Sequence, residues 1–246
     1  ATMAQRIARP SQSSKASLYR ILTTPTYTIG DASQLVEVSR GRITRWLMGY
    51  EYTYEVGEER REGKQASVVT RTDGPQASFL DLMDLLFVQR FLDRGFSLQY
   101  LRKALDEARE LLGTPHFARS TFFTSGKQLV LQLRSESKYM IALLTGGQGA
   151  MSQIIEELDD RIDFEDVTGY GFAHRWYPRG KQGLIVVDPQ IAFGRPTVAG
   201  RGVTADGIYD LYLGENKRME PVSTWYRIPP HEVKAAVRFQ SSLVGA

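Results

Sequence analysis

Two helical patterns separated by a turn of only three residues govern what the first fifty positions can become. Thr28-Ile-Gly-Asp31 has the form of a capping box: the Thr28 hydroxyl can accept from a first-turn N–H while Asp31 sits at the third helical position. Ile29, Ala32 and Leu35 then recur at helical spacing, and Val36–Val38 makes the turn. Ser39 suits an N-cap, and Arg40–Met48 carries Ile43, Trp46 and Leu47 at i, i+3 and i+4. That stripe faces a core and leaves Arg40, Arg42, Thr44 and Arg45 outside. Tyr50–Val56 follows in strict alternation of bulky and polar residues, then a charged stretch Gly57–Lys64, then a β-prone run over 66–71. This reads as a hairpin with a long polar tip. The whole is a winged helix-turn-helix, in which the second helix is the one that lies in a major groove.

The remainder is mixed. Ser78 caps a helix to about Arg94, with Phe79, Leu82, Met83, Leu86 and Val88 buried and Gly95 as its stop. Ser97 caps another, whose Leu98, Leu101, Leu105, Ala108 and Leu112 form a heptad-like seam that serves either the core or a dimer interface. A hairpin is expected over 121–134, an acidic amphipathic helix over 151–162, and strands at Phe172–Tyr177 and Leu184–Val187 around the turn Pro178–Gly183. Three helices close the chain. Thr204 caps the first; Val222, Trp225 and Tyr226 mark the second; Pro230 opens the third, along which Val233, Ala236, Val237 and Gln240 share a face. No internal repeat is visible. The expected fold is mainly α with small β elements (α+β): a mobile arm over 1–20, a winged helix-turn-helix domain over 21–115, a mixed α/β middle segment over 116–183, and a three-helix module over 184–246.

Composition narrows the function. The 246 residues contain no cysteine, which excludes a disulfide scaffold, a thiolate zinc site and a cysteine nucleophile. No apolar run approaches the roughly 20 residues that span a bilayer, and the first twenty residues carry arginines without an apolar core, so neither a membrane segment nor a secretory signal is expected. The expected location is the cytoplasm. Net charge is only +3, but residues 1–50 hold seven Lys/Arg against two acids, whereas residues 76–175 hold eleven bases and fourteen acids. A basic end on an acidic body suits a polyanion partner. Arginine can contact guanine edges in a bidentate way and also binds phosphate. The candidate DNA contacts are therefore Arg40, Arg42, Thr44 and Arg45, with Thr28 and Ser39 at the helix starts and Arg60, Arg61 and Lys64 on the wing. Catalysis finds little footing. His116, His174 and His231 stand apart in sequence, the acidic run 156–160 reads as a solvated helix face, and Gly146-Gly-Gln-Gly149 lacks the Lys-Ser/Thr of a phosphate loop. No enzyme activity, metal or cofactor is expected.

The run from Tyr27-Thr-Ile-Gly-Asp-Ala-Ser33 to Arg45-Trp46 resembles the opening of MerR-type regulators. Phe91-Leu-Asp-Arg-Gly-Phe-Ser-Leu-Gln-Tyr-Leu-Arg-Lys-Ala-Leu105 is similar to the helix pair after the wing in that family. Val187-Asp-Pro189, Phe193-Gly-Arg-Pro-Thr-Val-Ala-Gly-Arg-Gly-Val203, the helix from Asp206 to Leu213 and Pro230-His-Glu-Val-Lys-Ala-Ala-Val237 resemble a small antitoxin domain. The two together look like one class of VapB antitoxins. That resemblance implies a repressor of its own operator, a homodimer on double-stranded DNA, that also binds and inhibits a VapC-type PIN-domain ribonuclease. A toxin with an acid cluster calls for cations and an apolar anchor. The region after Val187 has Arg195, Arg201, Arg218, Trp225 and Arg227 for that role, with Lys217 and Arg238 nearby. Gly194, Pro196 and Gly200 read as turn residues. Two other readings stand beside this one: a stand-alone MerR-like regulator whose middle segment senses a small ligand, and an enzyme accessory or scaffold subunit.

Overall fold

The computed structural model describes residues 12–69, 74–112, 160–167 and 170–245, with His116, Ile154, Glu157 and Leu158. Eight α-helices and three two-stranded sheets make up the described residues, a mainly α fold with small β elements, as the sequence leads one to expect. The expected arm gives way to structure at α1 (Gln12–Thr23). Leu22 is fully buried, and the Tyr19 ring lies 5.4 Å from that of Phe172. Its Ser- and Lys-rich sequence looks like a solvated tail, yet one narrow stripe suffices to dock a helix.

α2 (Ile29–Val36) starts on the expected capping box, with Thr28 N–H to Asp31 at 2.8 Å and Asp31 N–H to the Thr28 hydroxyl at 3.1 Å. It ends where Glu37 enters the left-handed region, at φ 60°. The Val38 N–H bonds the Ser33 carbonyl at 3.0 Å and the Ser33 hydroxyl donates to the Val38 carbonyl at 2.6 Å, so the turn into α3 (Arg40–Met48) is closed from both sides. Ser39 holds the N-cap position, but its hydroxyl makes no capping bond.

β1 (Tyr50–Val56) and β2 (Glu59–Gln65) form the wing. The charged stretch expected as a long tip is itself β2, and the turn is only Gly57-Glu58, with Gly57 at φ 65°. Every residue of β1 is exposed. The chain then runs into the core without a further strand at 66–69: the N–H groups of Val68 and Val69 both bond the Trp46 carbonyl, at 2.8 and 3.1 Å.

α4 (Phe79–Asp93) is the central element, buried almost all round from Phe79 to Val88 and capped by Ser78 through a second capping box. α5 (Leu98–Leu112) buries Leu101, Ala104 and Leu105, which places that part of the leucine seam in the core. Ile154 and Leu158 are helical and buried, but the chain turns at Asp160-Arg161, so Ile162 begins β3 (Ile162–Val167) where a helix was expected to continue. β3 pairs antiparallel with β4 (Tyr170–Trp176), and a bridge from Trp176 to Val187 leads to β5 (Ile185–Val186), which pairs with β6 (Thr197–Val198). The expected hairpin over 121–134 and Gly146–Gly149 lie outside the described residues.

The closing helices are α6 (Ala205–Gly214), with Gly207 N–H donating to the Thr204 hydroxyl at 3.3 Å, α7 (Met219–Tyr226), and α8 (Pro230–Val244), with proline in its first turn. Buried side chains from Leu22 through α4, β4 and α8 to Leu243 form one cluster.

Candidate functional site

α3 turns Ile43, Trp46 and Leu47 inward and leaves Arg40, Arg42 and Arg45 exposed, as its periodicity requires. Each arginine is differently seated. Arg42 lies over the Trp46 ring at 5.1 Å and Arg45 over Tyr50 at 5.8 Å. Such stacking holds a guanidinium plane in place while its N–H edges stay available. Arg40 leans back across the start of α2, where a Cβ on Gly30 would stand 3.3 Å from its Nη2. The Thr44 hydroxyl is turned onto the Arg40 carbonyl at 2.8 Å. The Thr28 hydroxyl donates to Asp31 at 2.7 Å, so its role is to cap α2. Ser39, at the head of α3, is exposed and makes no capping bond.

The wing cations are divided between two faces. Arg61 shares a face with Tyr50, Tyr52 and Tyr54, while Arg60 and Lys64 lie on the other, opposite Glu55 and Glu51. Arg61 pairs with Glu59 at 3.0 Å and Lys64 with Glu51 at 3.9 Å, and Arg60 reaches the Thr53 hydroxyl at 3.5 Å. With five glutamates against three bases over 50–65, the wing is not a cationic surface overall. Its other face carries what periodicity could not rank, a ladder of three exposed tyrosine rings 6.0 and 5.9 Å apart.

At the other end of the chain the motif residues are architectural. Asp188, buried, takes Arg175 Nε at 2.7 Å and the Gln190 N–H at 2.9 Å. Gly194 sits at φ 78° with the Tyr27 hydroxyl donating to its carbonyl at 3.0 Å. Burial, with Asp188 and Asp31 nearby, pushes that phenol far up and keeps it a donor. Of the cations expected at a partner surface, Arg195 pairs with Asp206, and Arg201 grips Glu232 with two bonds of 2.9 and 3.0 Å. Arg218 stands 3.6 Å from Glu215, and Arg227 is the left-handed cap of α7. Trp225 is 74% exposed, and it borders an open hollow with Leu211, Pro221 and Thr224, where Arg218 and Arg227 stand beside Glu215 and Glu220. Phe193, in a strained left-handed turn, is 82% exposed.

Two of the histidines that stand apart in sequence meet carboxylates in the fold. His116 is fully buried with Nδ1 3.0 Å from Asp84 and 3.9 Å from Asp81, both carboxylates on α4 and both buried. Burial of the ring opposes its charge, but the hydrogen bond and charge of Asp84, with the charge of Asp81, outweigh it and raise its pKa. His174 lies 4.0 Å from Glu165, with its pKa lowered by burial and by Arg175. His231 is exposed. Among the described residues no group of three or more His, Asp or Glu could hold a metal ion, and no helix is long and apolar enough to cross a membrane.

Residues 185–239, from β5 into α8, match the family described as "Protein of unknown function (DUF433)". Over 233 residues, 87% of this chain and 92% of the relative, the sequence is 23% identical to a Mycobacterium tuberculosis (strain ATCC 25618 / H37Rv) protein named "Putative antitoxin VapB45". The crystal structure of Rv2018 from Mycobacterium tuberculosis has the same fold, with a TM-score of 0.63 over 87% of this chain and 98% of that one at 19% identity.

Proposed function

We infer that the chain is an antitoxin-type transcriptional repressor: a DNA-binding protein that acts on its own operator in the cytoplasm as a homodimer and neutralises a VapC-type PIN-domain ribonuclease. The observation that carries this reading is the outer face of α3. Arg42 and Arg45 are exposed and lie over aromatic rings, on a helix set by a closed helix-turn-helix turn. The near full-length similarity to the mycobacterial protein supports the antitoxin half. So does the exposed Trp225 beside Arg218 and Arg227, since tryptophan and arginine dominate protein interfaces. In this reading the chain works by binding and is not an enzyme. The buried His116–Asp84 pair has no access for a substrate.

Mobility-shift titration of the full chain on its own promoter tests the DNA half. Replacing Arg42 and Arg45 with alanine should cost about 1–3 kcal/mol for each base-reading contact. A double variant that binds like wild type would end this assignment of the interface. Co-purification with the product of the neighbouring gene, before and after Trp225→Ala, tests the other half. Loss of the partner with an unchanged melting temperature is the expected result.

The second reading is a regulator that senses a small ligand, with its site outside the middle segment where the sequence places the sensor. A cavity of about 320 Å³ lies between α2 and the C-terminal module, lined by Tyr27, Gln34, Leu35, Phe193, Arg195 and Gln240. That is the lower end of the size range for small-molecule sites.

A further inference from the structure

The turn between α7 and α8 repeats the turn between α2 and α3. Both first helices have eight residues. Both end on a non-glycine residue in the left-handed region, Glu37 at φ 60° and Arg227 at φ 54°, whose N–H bonds a serine carbonyl, Ser33 or Ser223. The next residue, Val38 or Ile228, is buried, and its N–H reaches the same serine carbonyl at 3.0 or 3.2 Å. The serine hydroxyl in turn donates to the carbonyl of that residue, at 2.6 Å in each case. At the same offset in numbering, Ala32 and Val222, Ile43 and Val233, Trp46 and Ala236, and Leu47 and Val237 all face inward. α6 packs across α7 and α8 as a third helix. The C-terminal module is therefore a second helix-turn-helix, and α8 stands where α3 stands in the first.

The exposed side of α8 is cationic. His231, Lys234 and Arg238 are exposed along it, and with Arg179, Gln182 and Ser242 they line an open cleft of about 610 Å³ that has no carboxylate in its wall. Glu232, the acid of the first turn, is turned inward and satisfied by Arg201. Arg179 reaches Glu37 at 2.9 Å and Ser242 at 3.2 Å. Lys234 and Arg238 have no carboxylate partner among the described residues. Trp225 lies on the other helix and outside this cleft, and the one aromatic in the cleft wall, Phe239, is buried, so the cleft presents no exposed aromatic anchor of the kind a protein partner would use.

We propose that α8 is a second nucleic-acid contact, with Lys234 and Arg238 bound to phosphates of double-stranded DNA. A helix-turn-helix brings the N-terminal half of its second helix to a groove and its flanking phosphates; in α8 that half carries His231 and Lys234, and Arg238 follows one turn after Lys234. The proposal rests on the reading of the chain as a DNA-binding protein, and it gives each chain two DNA contacts, α3 and α8.

The test uses the full chain and two labelled duplexes, its own promoter and an unrelated sequence of equal length, titrated across salt. Three proteins are compared with wild type: Lys234→Ala/Arg238→Ala, Arg42→Ala/Arg45→Ala, and the four substitutions together, with circular dichroism to show that each is folded. Removing one cation from a phosphate lowers the salt slope by about 0.9. The α8 variant should lose about one to two in slope and roughly three- to tenfold in affinity at moderate salt, on both duplexes alike. The α3 variant should keep salt-dependent binding that the quadruple variant lacks. An α8 variant with wild-type affinity and slope overturns the proposal and leaves the α3 reading standing. If that variant weakens while the α3 variant binds like wild type, the proposal holds and the α3 reading fails. An α8 variant that loses only a co-purifying protein, with DNA binding intact, also overturns the proposal.

Discussion

Tyr27 precedes the first helix-turn-helix and Gly194 lies far along the chain, yet they touch. A Cβ on Gly194 would fall 2.1 Å from the Tyr27 hydroxyl, on a residue already at φ 78°. Gly194→Ala should therefore cost about 2–4 kcal/mol in denaturant unfolding. Tyr27→Phe, which removes only the hydrogen bond, should cost about 1 kcal/mol. Equal effects would mean the clash is relieved elsewhere. His116 sets a pH dependence. Its folded pKa is raised, so its contribution to stability is complete below the ordinary histidine value of about 6.5 and is lost as pH rises through the folded value. Asp81, raised by burial against the opposing pull of Ser78 and His116, adds a slope of the same sign. As pH rises above about 6.5, wild type should lose stability, and His116→Gln should lose less of it. A variant with the full wild-type slope would place the titration elsewhere. At this scale the caps at Thr28, Ser78 and Thr204 are legible in the sequence, because a cap is written within four residues. The meetings of His116 with Asp84 and of Tyr27 with Gly194 are not, because they arise only through tertiary packing.

The wing is the element held least by its own interior. All of β1 and most of β2 are exposed, and a lone two-stranded hairpin is marginal in water. α5 ties it down: Arg102 and Arg109 donate to the carbonyls of Ala66 and Val68. Replacing both arginines with alanine should speed amide exchange across β1 and β2 while α4 stays protected. Unchanged exchange in the wing would remove these two bonds as its anchors. The same exposure explains why β2 reads as a loop. A strand wet on both faces has no inside-outside contrast, so Glu59–Gln65 looks like a charged tip. The α2–α3 pair was legible because its buried stripe is regular. Its repetition in α7–α8 was not, because the two share a backbone turn and one serine but little else in side-chain identity.

Across the whole molecule, α2 and α4 share one cluster with α8. Leu35, Val36 and Leu86 border the same hollow as Phe239 and Leu243. If the segments expected at 21–115, 116–183 and 184–246 came apart, those side chains would be exposed. The full chain should thus unfold in one calorimetric transition, and two resolved transitions would show that its ends are independent. The seating of the three tryptophans has an optical consequence. Trp46 and Trp176 are 2% and 3% exposed, while Trp225 stands in the open. Red-edge emission and the fraction accessible to an aqueous quencher therefore belong almost wholly to Trp225, and Trp46, beneath the Arg42 guanidinium, emits from a dry, cation-capped site. The unmodified chain thus carries, on α7, one chromophore distinguishable by colour from the two in its interior.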